Sequence, residues 1–280
     1  MRPRALVRPI SGLLLMNRSR VLFLSLAAAL TIAAAPEQPP LVAVIDSGVA
    51  RTAELGPALV AEYDTASAQP RAPFEPRFDH GTMVAMILLR AAAGHVRIVS
   101  MRIDDPAGCP ANANPPCQPS PQPVARAIRQ ATALGVQAIN LSLALQDDPA
   151  IVAAVHDAAA KGITVVMAAG NDGLNHPGNL SMARAGFPHA VLVGALDTGG
   201  KPWTGTNRPS DESRPGYLYA WQQGVDVPTA RLTGAAVTGT GTSFAAPIET
   251  ARLVMKTVTA VTAPPTRSGP DETAGASISS

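Results

Sequence analysis

Ser243 stands in Gly239-Thr240-Gly241-Thr242-Ser243-Phe244-Ala245-Ala246-Pro247, a glycine-rich turn running into an apolar segment. Glycines let the backbone turn sharply and approach other groups closely. Pro247 is tolerated only near a helix start, so a helix must begin close to Ser243. A serine there has free main-chain N–H groups and the positive end of a helix dipole beside its Oγ. Those features suit a nucleophile that must stabilise an oxyanion, and they equally suit a plain N-cap. Two further residue types could join it. His80, in Asp79-His80-Gly81-Thr82, opens a strongly apolar helix. It could serve as a base near neutral pH or as an ordinary surface group. Asp46 follows the apolar run Leu41-Val42-Ala43-Val44-Ile45. It is either an acid at the strand end where ligands meet open α/β sheets or a turn former before Gly48.

These residues need elements to hold them. Leu41–Ile45 reads as a strand buried on both faces of a parallel sheet. Further strands are expected at Val96–Ile103, Ala138–Leu143, Ile163–Ala169 and Ala190–Ala195. Helices are expected after His80, over Val124–Leu134, over Ile151–Ala160 and after Ser243. Lys161-Gly162 supplies a C-terminal stop signal for the third of these. Strand and helix alternate at α/β spacing.

The four stretches Val44-Ile45-Asp46-Ser47-Gly48-Val49, His80-Gly81-Thr82 with Val84-Ala85, Ala168-Ala169-Gly170-Asn171, and Gly241 to Pro247 together resemble the motifs of the subtilisin-like serine proteases. They occur in that family's Asp, His, Asn, Ser order, and the resemblance covers about Leu41 to Met255. It implies an α/β fold of three layers, with a mostly parallel central sheet and helices on both faces. It also implies peptide-bond hydrolysis through an acyl-enzyme. Ser243 would be the nucleophile, His80 the general base, and Asp46 the residue holding the imidazole. Asn171 would donate its amide to the oxyanion beside the Ser243 N–H, although Asn171-Asp172-Gly173 is also good turn chemistry.

The same resemblance places an extended peptide along Leu141, Ser142, Leu143 and Ala144, paired by strand addition. Ala168, Ala169 and Gly170 would complete the wall of the primary specificity pocket. Ala144 stands where relatives carry glycine, so a small or medium apolar side chain is expected on the acyl side of the cut bond. Met86 and Ile248 depart from the family pattern at positions that do no chemistry, and core packing is expected of both. A catalytically silent protein of the same fold, binding peptides or a partner chain, is the alternative reading.

The N-terminus has the pattern of a secretory signal over residues 1–35. Val21–Leu30 follows Arg18 and Arg20 and leads to Ala33-Ala34-Ala35. Met16 offers a second start. The apolar run is too short for a membrane span of about 20 residues, so no stable span is expected after cleavage and the destination is the medium or the periplasm. The catalytic domain is expected over 36–256 and a disordered Thr/Ser/Pro/Gly-rich tail over 257–280. Between Ala35 and Leu41 there is no room for the folding pro-segment that many secreted relatives carry. The domain would then fold unaided or with an assisting or inhibitory partner chain.

Cys109 and Cys117 lie in a Pro-rich stretch from Asp104 to Pro123, and in an exported protein such a close pair is expected to form a disulfide. By analogy that stretch flanks the non-primed side of the groove, so the bridge would fix a specificity rim. A metal pair there is disfavoured, since no His or further Cys stands nearby. His95, His156, His176 and His189 are expected at the surface or in loops. No acidic cluster has calcium-loop spacing, and no cofactor is assigned, although the resemblance allows a structural calcium. The chain of 280 residues has a formal net charge of +2, with Arg2, Arg4, Arg8, Arg18 and Arg20 near its start. That balance offers nucleic acid no basic face.

Overall fold

The computed structural model describes residues 38–69, 71–110, 116–118, 120–143, 145–209 and 216–262, with side chains as far as 257. Residues 1–35 and the tail beyond 262, for which a signal and disorder are expected, lie outside the described residues. Seven strands form one sheet: β1 (Leu41–Asp46), β2 (Leu59–Asp64), β3 (Arg97–Arg102), β4 (Ala138–Leu141), β5 (Thr164–Ala168), β6 (Ala190–Leu196) and β7 (Leu218–Gln223). Their order is β2-β3-β1-β4-β5-β6-β7, and each neighbouring pair is parallel. A two-stranded antiparallel ribbon, β8 (Val227–Ala230) with β9 (Ala236–Gly239), lies apart from it in the hydrogen-bonding pattern.

Helices cover both faces, as the sequence leads one to expect. On one side α2 (Gln122–Ala133), α3 (Pro149–Ala160) and the short α4 (Leu180–Ala185) pack on Ala43, Ile45, Val99 and Met101. On the other, α1 (His80–Ala91) and α5 (Thr242–Thr262) cover the alternate residues Val42, Val44 and Ile98. Successive side chains of a strand point to opposite faces, which is why central strands apolar at every position are stable only between two helical layers. Met86 is 1 % exposed and sits within the α1 side of this core. Ile248 packs with Ile87, Val227 and Phe244. Both act as packing residues.

Some boundaries move. α2 begins at Gln122 and α3 at Pro149, because Pro fits the first turn of a helix and the Asp148 carboxylate caps α3 by accepting the Ala150 N–H at 2.8 Å. α5 runs on to Thr262, so the first six residues of the expected tail are helical. Its Thr257 Oγ1 bonds back to the Leu253 carbonyl at 3.2 Å. Four strands outside the sequence reading, β2, β7 and the β8–β9 pair, carry polar or proline residues that hide their pattern. Among the described residues no helix is long and apolar enough to cross a membrane.

The sheet reverses direction of growth at β1. The chain places β2 and β3 on one side of it, then returns to build β4 through β7 on the other. Open α/β sheets offer their ligand crevice beyond the strand C-termini at such a reversal.

Candidate active site

Asp46 is the last residue of β1 and is fully buried. His80 is the first residue of α1, and its Nδ1 lies 2.9 Å from both Asp46 carboxylate oxygens. The approach is close because Gly81 follows: a Cβ there would overlap the Gly48 carbonyl oxygen. The loop after β1 is stitched to the same helix. The Gly81 N–H donates to Ser47 Oγ at 3.1 Å, and the Ala50 N–H donates to Thr82 Oγ1 at 2.9 Å. Asp46 also accepts the Ser47 N–H at 2.7 Å.

An ionised carboxylate only accepts hydrogen bonds, so His80 carries its proton on Nδ1 and keeps a lone pair on Nε2. Burial pushes the imidazole toward neutrality, but the Asp46 charge and hydrogen bond outweigh it, so the His80 pKa stands above its ordinary 6.5. The ring keeps a side-chain exposure of 20 %, and the Phe244 ring flanks it at 5.6 Å between centroids.

Ser243 is the second residue of α5 and is half-buried. Pro247, four residues on, has no N–H to give the Ser243 carbonyl the usual helical bond. Ser142 supplies the missing donor: its Oγ donates to the Ser243 carbonyl at 2.7 Å. Ser142 Oγ in turn accepts from Asn140 Nδ2 at 2.9 Å, and Asn140 Oδ1 lies 3.0 Å from Thr250 Oγ1 of α5. Asn140, Ser142 and Thr250 are all essentially inaccessible, so the first turn of α5 is pinned to the end of β4 by a satisfied buried network. Among the described residues the Ser243 hydroxyl makes no hydrogen bond. Catalytic contacts in ligand-free enzymes are often long and tighten only with substrate.

Asn171 follows β5 on an exposed turn. Its Oδ1 accepts the Thr242 N–H at 2.8 Å and lies 2.9 Å from Thr242 Oγ1. A main-chain N–H only donates, so the amide oxygen must face Thr242, which leaves Nδ2 turned away from it and, among the described residues, without a hydrogen-bond partner. Gly241, at φ +143°, passes so close that a Cβ would lie 3.2 Å from Asn171 Nδ2. Thr242, buried completely, therefore orients Asn171. Sequence reasoning had grouped it with the serine motif and gave it no separate role. Asn207 was missed altogether. Its Oδ1 accepts the N–H groups of Asp172 and Leu174 at 3.0 Å each, and its Nδ2 donates to the Ala169 carbonyl at 3.1 Å. It shapes the Asn171 turn from a loop more than thirty residues away, and nothing in its neighbourhood Thr206-Asn207-Arg208-Pro209 announces that.

His80, Ser243, Asn171, Ser142 and Leu143 line one cleft of about 960 Å³. Leu141, Ala168 and Ala169 are buried at the strand ends. The Gly170 main chain is taken by Thr242 Oγ1 and the Asn207 N–H. The end of β5 is thus a wall, with its carbonyls engaged from within. Ala144 lies outside the described residues. Cys109 and Cys117 are joined by a disulfide, and Gly108, Pro110, Pro116, Cys117 and Gln118 line the same cleft as Ser243. His95, His156, His176 and His189 are exposed and stand apart from it. Among the described residues no three His, Cys, Asp or Glu side chains gather closely enough to hold a metal ion.

A protein-family model described as the subtilase family matches residues 38–255. Among solved structures, a cold adapted subtilisin-like serine proteinase aligns with a TM-score of 0.64 at 21 % identity, over 79 % of this chain and 76 % of its own. The patellamide maturation protease PatA aligns at 0.62 and 22 %, covering 80 % and 81 %. Sphericase aligns at 0.61 and 22 %, covering 78 % and 76 %. These three likenesses bear on the fold.

Proposed function

We propose, for a chain that belongs to the subtilase family of serine proteases, that it is an exported endopeptidase working through Asp46, His80 and Ser243. The observation that carries this reading is the Asp46–His80 contact at 2.9 Å, in a cleft lined also by Ser243 and Asn171. In the proposed reaction His80 Nε2 takes the proton from Ser243 Oγ as that oxygen attacks the peptide carbonyl. The negative charge forming on the carbonyl oxygen meets the Asn171 amide and the Ser243 N–H. His80 then passes its proton to the leaving amine, and a water molecule repeats the sequence to release the acyl group. Asp46 stabilises the imidazolium through both proton transfers. No step draws on a cofactor.

Export rests on the charged-then-apolar pattern of residues 1–35 and agrees with the Cys109–Cys117 disulfide, since such bonds persist in oxidising compartments. The substrate is a peptide or protein lying along Ser142 and Leu143.

Covalent labelling by a fluorophosphonate probe tests the reading. The expected result is labelling of the folded protein that is lost in Ser243→Ala and in His80→Ala. That the Ser243 hydroxyl makes no hydrogen bond among the described residues favours one other reading, a peptide-binding protein without turnover. Binding of an extended peptide by a folded sample that neither labels nor cleaves would select it.

A further inference from the structure

Two asparagines hold successive carbonyls where the chain leaves β5. Asn179 Nδ2 donates to the Ala168 carbonyl at 3.0 Å, and Asn207 Nδ2 to the Ala169 carbonyl at 3.1 Å. Beyond them comes the turn that carries Asn171, and three of its N–H groups end on one distant segment. Those of Asp172 and Leu174 both donate to Asn207 Oδ1 at 3.0 Å, and that of Gly173 donates to the Gly205 carbonyl at 2.8 Å. In return the Asn207 N–H donates to the Gly170 carbonyl at 2.9 Å, and the Arg208 N–H to the Leu174 carbonyl at 2.8 Å. Gly170 lets the two segments meet: its φ of +104° favours glycine, and a Cβ there would overlap Asn207 Nδ2. Asn207 is 2 % exposed, and its own carbonyl accepts the Tyr219 hydroxyl from β7. Its Nδ2 also donates to the Asp172 carboxylate at 3.2 Å, so the whole side-chain amide is spent on residues 169–174.

Asn171 has a weaker hold of its own. Its side chain is exposed and, among the described residues, is bonded only through Oδ1, to Thr242. The place of its Nδ2 therefore depends on the main chain beneath it. A donor serves an oxyanion over a narrow range of distance, and a misplacement of about 1 Å can cost about 10²-fold in rate. We infer that Asn207 is a positioning residue for the reaction: by fixing the turn it aims the Asn171 amide at the carbonyl oxygen, and it touches no substrate itself. This rests on the proposed cleavage at Ser243. An Asn207 that served stability alone would lower the melting temperature and leave the kinetics of the folded molecules unchanged.

The test follows cleavage of a fluorogenic peptide by the full chain, by Asn207→Asp, by Asn171→Ala and by the double variant, with melts showing that each is folded at the assay temperature. Aspartate keeps the acceptor for the two N–H groups but sets an oxygen against the Ala169 carbonyl and the Asp172 carboxylate. The expected result is a kcat lower by about tenfold with KM little changed. Once Asn171 is alanine, the same substitution should cost at most about twofold, since no amide is left to aim. Adding Asp172→Asn to Asn207→Asp returns a donor and should recover part of the kcat. Should Asn207→Asp fail to fold, Asp172→Ala removes one Asn207 contact at an exposed residue. Its kcat should fall by about two- to threefold, again only while Asn171 is present. An unchanged kcat, or the same loss in both Asn171 backgrounds, overturns the inference and leaves the endopeptidase standing. A folded, unmodified chain that cleaves no peptide overturns the endopeptidase and the inference with it.

Discussion

Burial alone would strip the proton from His80, and the Asp46 carboxylate reverses that bias, leaving a pKa above 6.5. A general base works only when unprotonated, so kcat/KM should rise with pH along a limb whose midpoint lies above 6.5. Asp46→Asn should lower that midpoint and cut turnover by about 10⁴-fold; a pH–rate profile of the two proteins checks both. Stability runs the other way. His80 gains its partner on folding, so this stabilisation is fully present below its unfolded pKa and fades as pH rises through the folded value. Melts of the Ser243→Ala protein across that range, with and without Asp46→Asn, report it. The proposed oxyanion donor offers a graded comparison. Asn171→Ala should lower kcat by roughly 10²–10³-fold with KM little changed. Thr242→Val keeps one of the two contacts that orient Asn171, so its loss of kcat should be smaller. That Asp46 meets His80 and that Asn171 meets the turn before Ser243 was legible, because each sits in a short motif at a strand end or helix start. Asn179 and Asn207 were not, because their meaning lies in which distant carbonyls they reach.

The elements that carry these residues are joined by bonds that secondary structure does not provide. Pro247 deprives the Ser243 carbonyl of a helical donor, and Ser142 replaces it at 2.7 Å. Ser142→Ala should therefore destabilise the protein by about 1–3 kcal/mol, the cost of an unpaired buried carbonyl. Pro247→Ala brings an N–H back to the i+4 position, so Ser142→Ala should cost less in that background. Denaturant midpoints of the four proteins in this cycle measure the coupling directly. Of the strands buried on both faces, β1, β5 and β6 were readable as apolar runs and β4 as one interrupted only by Asn140. β2 was not, because Glu62 and Asp64 interrupt it. Their charges are acceptable only because Glu62 accepts from Ser100 Oγ at 2.7 Å and Asp64 pairs with Arg71. β7 hides in the same way behind Gln222, which donates to the buried Glu249 at 2.6 Å.

Over the whole molecule, the disulfide loop that follows β3 reaches the cleft of Ser243. Replacing Cys109 and Cys117 by serine should cost about 2–3 kcal/mol on the chain-entropy account. It should also alter KM and peptide preference, while fluorophosphonate labelling of Ser243 persists. Unchanged preference would show that the bridge holds only the loop. The layered sheet and its two helical faces could be read from the alternation of apolar runs. The extent of α5 could not, since its Thr-rich end has weak periodicity and the helix is set by the packing of its earlier turns. The position of α5 has a temporal meaning as well. Asp46 and His80 lie in the first third of the chain, whereas Ser243 arrives with the last element and is seated only once β4 can pin it. A ribosome releasing this chain from its N-terminus therefore exposes unfolded, cleavable segments long before any nucleophile exists, and on the proposed reading a newborn molecule is protected from itself by the order of its own synthesis.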